Sequence, residues 1–389
     1  MSGPDNRALL PAGLRDVLPP DAEREADTVE RLLAHCAGFG YERVKPPLLE
    51  FEEGLLSGAG ASATAQAFRL MDPLSQRMMA LRPDMTIQVA RIAASRLAAA
   101  PRPLRLSYAG QVLRARGDQL QPERQFNQAG LELIGPASPA ADAEVVSVTV
   151  GALEAVGARD LSIDFNLPGA LSAIAADAAL PEGDLADLRA ALDRKDREAV
   201  AAAGGAAGRT LAALMDAAGP ADAALSRLRE TALPAAARAD SDHLAEVVAQ
   251  VAARCPSLTL SVDPVDFRGF EYHETISFSL FSLAARGELG RGGRYRVEGE
   301  PATGFSLAMD RVLRALPPSE PRRRALVAAS LPADATLALR REGWATIATF
   351  EAEADRDTLL AEAHRLGCTH LVTAEGLEAI PPAGDGNGE

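Results

Sequence analysis

Two side chains in one short stretch could do chemistry and could not be left bare. In RLSYAGQVLRARGDQLQPERQFNQAGLELIG, Arg105 to Gly135, the second half alternates. Phe126, Gln128, Gly130, Glu132 and Ile134 fall on one strand face; Asn127, Ala129, Leu131 and Leu133 fall on the other. An amide and a carboxylate set between apolar residues need partners, because burying them unpaired is costly. An ionised carboxylate can only accept, so it calls for an N–H, O–H or cationic partner. Upstream, Leu104, Leu106, Tyr108 and Val112 alternate with Arg105, Ser107 and Gln111, the period of a half-buried strand. The intervening loop carries Arg114, Arg116, Asp118, Glu123 and Arg124, and charged loops above a sheet often hold ligands. On alternation alone, a surface hairpin with a polar outer face accounts for the same pattern.

The elements that must position this hairpin can be read outward from it. Asp21, Glu23 and Glu25 after Pro20 open a helix with Val29, Leu32, Leu33 and Cys36 as its apolar stripe and Gly38 and Gly40 at its end. Tyr41 to Glu50, YERVKPPLLE, reads as extended, an edge that two prolines keep from pairing. Asp72-Pro73 suits a turn, and Asp84 and Thr86 stand where a cap belongs before a helix from Ile87 to Leu97. Ala141 to Val156 has helical spacing, and Leu161 to Leu167 is a strand. About 168–254 is alanine-rich and broken at Pro181, Gly204-Gly205, Gly219-Pro220 and Pro234, an inserted set of helices. Asp242-His243 within it reads as a surface pair at a helix start. Strands return from Leu258 to Ser282. After Pro317-Pro318, residues 322–380 alternate strand and helix as a small parallel sheet. Residues 381–389 read as a disordered tail.

Composition narrows the class. The chain has 389 residues, 47% hydrophobic and 24% charged, enough for two or three domains. No apolar run reaches the roughly 18 residues of a membrane span, and the N-terminus has no signal-like apolar region. Cys36, Cys255 and Cys368 are far apart, with neither disulfide nor zinc spacing; they read as core residues, and no metal or cofactor is expected. A cytoplasmic location is the default expectation. The net charge of −14 matches nucleic acid poorly.

Four stretches in order resemble one family. Arg114 with RQFNQAGLELIG from Arg124 is similar to the second signature of class II aminoacyl-tRNA synthetases, in the form used by histidyl-tRNA synthetases. LRPDMT, Leu81 to Thr86, resembles the family's LRPEGT-type turn, which implies that Asp84 and Thr86 touch a bound amino acid. RGFEYH resembles the histidine-specific loop, with Arg268, Gly269 and Tyr272 matching and His273 replacing a tyrosine. TGFSLAMDRVLRAL, Thr303 to Leu316, resembles the third signature, whose arginine corresponds to Arg311. The resemblance covers most of residues 11–316. It implies an α+β fold: an antiparallel sheet flanked by helices over 1–320, with the helical insertion and a small C-terminal α/β domain like a shortened anticodon-binding domain. It also implies a self-dimer through Tyr41 to Glu50.

The resemblance departs on the ATP side. Where the family has a glutamate for the adenine amino group stands Arg116, and Pro122 replaces an arginine for the γ-phosphate. Asp84, Thr86, Arg114, Gln128, Glu132, Arg268 and Tyr272 keep the amino-acid side, with His273 beside them. That combination resembles a paralogue family, the regulatory subunit of ATP phosphoribosyltransferase. It implies a partner, the catalytic subunit that condenses ATP with phosphoribosyl pyrophosphate in histidine biosynthesis, assembled as a hetero-octamer, with L-histidine as feedback ligand, no catalysis of its own and no tRNA. A histidyl-tRNA synthetase forming histidyl-adenylate is the alternative reading. A third is a stand-alone enzyme that activates a carboxylate without tRNA.

Overall fold

Arg105 to Gly135 folds as two neighbouring strands at the centre of a sheet. The computed structural model describes residues 9–55, 65–117, 122–203, 205–266, 273–318, 322–332, 334–350 and 355–381. Strand Leu104–Leu113 runs antiparallel to Gln125–Ile134, with Leu106 opposite Glu132, Tyr108 opposite Gly130 and Gly110 opposite Gln128. Glu300–Ala308 pairs with the second hairpin strand and sets Gly304 against Glu132. Gly287–Val297, Glu274–Ser282 and Leu161–Asn166 follow in order, all antiparallel. Two pairings are parallel: Glu42–Arg43 beside Leu104–Leu113, and Leu161–Asn166 beside Thr259–Val262. The expected antiparallel sheet is therefore mixed. Parallel neighbours need long crossovers, and the second crossover is the helical insertion itself.

Both faces of the hairpin are covered, which removes the surface-hairpin reading. On one face Ala129, Leu131, Leu133, Phe165, Phe278 and Phe305 pack with helices Asp21–Gly38, Pro139–Val156 and Ala235–Arg254. Here Ser107 is 1% exposed, and Arg105, read as polar outer face, pairs with Glu144 at 2.7 Å. On the other face Leu106, Tyr108, Val112, Phe126, Ile134 and Tyr295 meet Met85, which precedes helix Thr86–Ser95, and Val89 and Ala93 within it. A sheet buried on both sides positions its side chains by packing, so a polar group on it is held, not free to swing.

The insertion forms six helices among the described residues, from Ala170–Asp177 to Ala235–Arg254, three of them starting just after Pro181, Pro220 and Pro234. Asp242-His243 is not a helix-start surface pair. It lies within Ala235–Arg254; Asp242 is exposed, but His243 Nε2 sits 2.7 Å from Asp142 Oδ2. Asp142 is fully buried and also accepts from Arg294 Nη2 at 2.7 Å. The helix buries Leu244, Val247 and Val251, and that stripe turns His243 toward the sheet.

The C-terminal unit begins at Pro318. Arg324–Val327 lies between parallel strands Ala345–Ala348 and His370–Thr373. A fourth strand, Gly376–Ala379, closes the edge as an antiparallel hairpin through Gly376 at φ 121°, which the expected parallel sheet did not include. Asp355 caps helix Arg356–Arg365 by accepting from Thr358 N–H at 2.8 Å. All three cysteines are buried and none is in a disulfide. Among the described residues, no helix is long and apolar enough to cross a membrane.

Candidate functional site

The turn before helix Thr86–Ser95 is closed by a side chain from the hairpin. Gln128 Oε1 accepts from Met85 N–H at 2.8 Å, and Gln128 Nε2 donates to Asp84 Oδ2 at 2.7 Å. The other Asp84 oxygen accepts from Thr86 N–H at 2.7 Å. Asp84 thus does more than cap: it is tied through Gln128 to the central strand. All three side chains, Asp84, Thr86 and Gln128, are buried.

Glu132 lies one step deeper on the same face. Its carboxylate rests over Gly304, where a Cβ would overlap it, so a glycine is required there. Tyr108 Oη donates to it at 3.1 Å and Tyr295 Oη at 2.8 Å. With its O–H directed at Glu132, Tyr108 Oη can accept from Ser306 Oγ at 2.7 Å or Thr86 Oγ1 at 3.0 Å. Two buried carboxylates, Asp84 and Glu132, are therefore linked through Thr86 and Tyr108. Burial pushes the Glu132 pKa up to about 8, against the pull of the tyrosine hydroxyls, and Asp84 adds to the rise.

Three of the residues picked out by sequence, Asp84, Thr86 and Gln128, form one contact set, and Glu132 joins it through Tyr108. Arg114 does not. Its guanidinium stands 5.1 Å from the Phe126 ring, and Phe126 is six residues from Glu132 along the strand. At roughly 3.3 Å per residue Phe126 and Glu132 are about 20 Å apart along the backbone, and Phe126 and Gln128 about 7 Å. By backbone spacing Arg114 lies nearer the level of Gln128 than that of Glu132. Arg268 and Tyr272 lie outside the described residues, as does Asp118.

His273 is brought to the same row of the sheet. Its ring lies on Gly293, which faces Gly304, which faces Glu132. Burial lowers its pKa to about 3, with Arg291 adding to the effect, so the imidazole is neutral. It lines a cavity of about 660 Å³ with Asn166, Asp240, Glu274, Ser277 and Arg291. On the ATP side, Arg116 and Pro122 are exposed, and Arg311 donates to Glu288 Oε1 at 3.3 Å, a carboxylate that also takes Arg291 Nε at 2.7 Å.

Tyr108, Tyr295 and Ser306 were missed by sequence reasoning. Tyr108 was read as apolar filling; the available signal was that a buried tyrosine hydroxyl facing a strand with a carboxylate will find it.

A family model described as histidyl-tRNA synthetase matches residues 13–312. An ATP phosphoribosyltransferase regulatory subunit of Rhodospirillum centenum is 55% identical over 375 residues, covering 96% of each chain. One of Paramagnetospirillum magneticum is also 55% identical, over 96% of this chain and 98% of that one. This chain belongs to the ATP phosphoribosyltransferase regulatory subunit family. A solved structure from Bacillus halodurans, titled ATP phosphoribosyltransferase regulatory subunit/histidyl-tRNA synthetase, superposes with a TM-score of 0.79 at 25% identity, covering 93% of this chain and 97% of that one. The histidyl-tRNA synthetase of Nostoc shares the fold, with a TM-score of 0.76 at 19% identity over 94% and 91%. The regulatory-subunit family thus has a histidyl-tRNA synthetase-like class II fold, and its name places it in histidine biosynthesis.

Proposed function

We propose that the chain is a non-catalytic regulatory subunit that assembles with the catalytic subunit of ATP phosphoribosyltransferase and binds free L-histidine as feedback signal. The catalytic partner condenses ATP with phosphoribosyl pyrophosphate. The observation that carries the histidine site is the pair of buried carboxylates, Asp84 and Glu132, whose hydrogen-bond donors are neutral hydroxyls, amides and a backbone N–H. Buried carboxyls with neutral partners favour a cation of matching shape, whose charge would hold Glu132 ionised although burial alone raises its pKa to about 8. Histidine supplies an ammonium for Asp84 beside Gln128, and an imidazole one side-chain length deeper for Glu132. This assignment puts the ammonium at Asp84, not at Glu132. Arg114, near the Gln128 level, can then meet the carboxylate. Arg268, Tyr272 and His273 are proposed to complete the pocket.

Calorimetry on the isolated chain tests this. Glu132→Gln keeps the size and removes the charge, and is expected to weaken histidine binding by about 30-fold or more, the effect of breaking a buried charged hydrogen bond. Unchanged affinity in both Glu132→Gln and Arg268→Ala would place the effector elsewhere. The synthetase alternative is opposed by exposed Arg116 and Pro122 and by Arg311 held on Glu288. Histidine-dependent pyrophosphate exchange by the purified chain would restore it. Co-purification with a phosphoribosyltransferase is the expected result for the regulatory role.

A further inference from the structure

The ligand turn is held from behind by an arginine that touches none of the proposed ligand contacts. Arg82, two residues before Asp84, is 6% exposed. Its Nε donates to Gln111 O at 2.7 Å, on the first hairpin strand. Its Nη1 donates to Pro46 O at 2.9 Å and lies 3.4 Å from Pro47 O and 3.3 Å from Gln88 Oε1. Its backbone joins the same two segments: Arg82 N–H donates to Leu48 O at 3.1 Å, and Leu113 N–H donates to Arg82 O at 3.0 Å. One residue therefore ties its own turn to two segments that are distant in sequence.

The chemistry explains why an arginine stands there. Pro46 and Pro47 have no N–H, so this segment cannot exchange paired hydrogen bonds with a neighbouring strand, yet its carbonyls face the interior. A planar guanidinium supplies several donors in a fixed fork; a lysine ammonium supplies a compact point that cannot span the same acceptors. Gln88, fully buried, extends the cross-link by donating to Pro47 O at 2.8 Å and to Glu50 Oε1 at 2.8 Å. Glu50 is in turn held by Arg91 Nε at 2.9 Å. Space is reserved for the guanidinium: a Cβ at Gly110 would collide with Arg82 Nη2 and press on Met85 Sδ.

We propose that Arg82 is a positioning residue for the ligand turn, fixing Asp84, Met85 and Thr86 by cross-linking them to the Pro46–Pro47 segment and to the hairpin strand. The proposal deepens the histidine-site reading and rests on it for its effect on affinity. Two variants test it by different routes. Arg82→Lys keeps the charge and loses the fork. Gly110→Ala keeps the arginine and displaces it. Both are expected to weaken histidine binding about tenfold or more. Both are also expected to speed amide hydrogen exchange of the peptide covering Met85 and Thr86, relative to the peptide covering strand Gln125–Ile134. The exchange measurement needs no ligand, so the two readings can fail separately. If the wild type binds no histidine but the turn peptide loses protection selectively, positioning stands and the histidine site falls. If both peptides exchange faster in equal measure, or neither changes, Arg82 holds the fold in general or holds nothing, and the positioning role is overturned.

Discussion

Glu132 is the residue whose chemistry and burial conflict most. Its carboxyl is protonated more readily in the folded chain, at about 8, than when unfolded, at 4.5. Between those values the native state binds the extra proton, so stability falls as pH rises from about 4.5 to about 8 and is flat on this account outside that window. The slope is at most about 1.4 kcal/mol per pH unit. Other groups titrate too, so the comparison is with Glu132→Gln: its melting temperature should gain on the wild type steadily from pH 5 to pH 8. A constant difference across that range would mean the carboxyl is not lifted by burial. Gly304 belongs to the same argument. Gly304→Ala pushes a methyl into the carboxylate and is expected to cost about 1–3 kcal/mol in urea unfolding, with histidine binding lost. An alanine variant that binds histidine normally would show that Glu132 need not lie where it does.

At the scale of elements, the buried node of Asp142, His243 and Arg294 fastens the insertion's last helix to the sheet. Arg294 also donates to Pro136 O and Ser138 O, so the start of helix Pro139–Val156 is fixed with it. Removing the shared anion strands a buried guanidinium, and Asp142→Ala should cost about 3–5 kcal/mol in urea unfolding. His243→Ala should cost less, because the Arg294–Asp142 pair survives it. Equal losses would mean that the histidine, not the arginine, holds the node. This node shows where sequence reading stopped. Alternation located Gln128 and Glu132 because a strand's period of two is local. The turn of Asp84 and Thr86 was legible as a cap for the same reason. His243 was misread because its partner Asp142 lies 101 residues away on helix Pro139–Val156, and no local pattern records that. The separation of Arg114 from Glu132 was not legible either, because a shared hairpin says nothing of distance along it. The two parallel pairings and the closing strand Gly376–Ala379 were likewise set by crossovers and edges, not by the segments themselves.

For the molecule as a whole, the remaining question is what covers its small three-stranded sheet. Leu49–Phe51, Met78–Leu81 and Arg69–Met71 pair in that order, and among the described residues Arg69–Met71 is an edge. Around it Leu48, Leu70, Met71, Leu74 and Met78 are exposed, Leu74 at 93%. A cluster of exposed aliphatic side chains beside an unpaired edge strand marks an interaction surface. It adjoins Tyr41 to Glu50, the segment expected to self-associate, and a two-fold pairing would bury the same patch on both copies. The net charge of −14 opposes association through charged surface, which favours an apolar contact. We therefore expect the purified chain, without its catalytic partner, to be a dimer by light scattering at micromolar concentration. Leu70→Asp with Met71→Glu should convert it to monomer without changing its circular dichroism, because both side chains already face water in one copy. A wild type that is monomeric at that concentration would leave the patch to the catalytic subunit. A double variant that remains dimeric would move the interface off this sheet altogether.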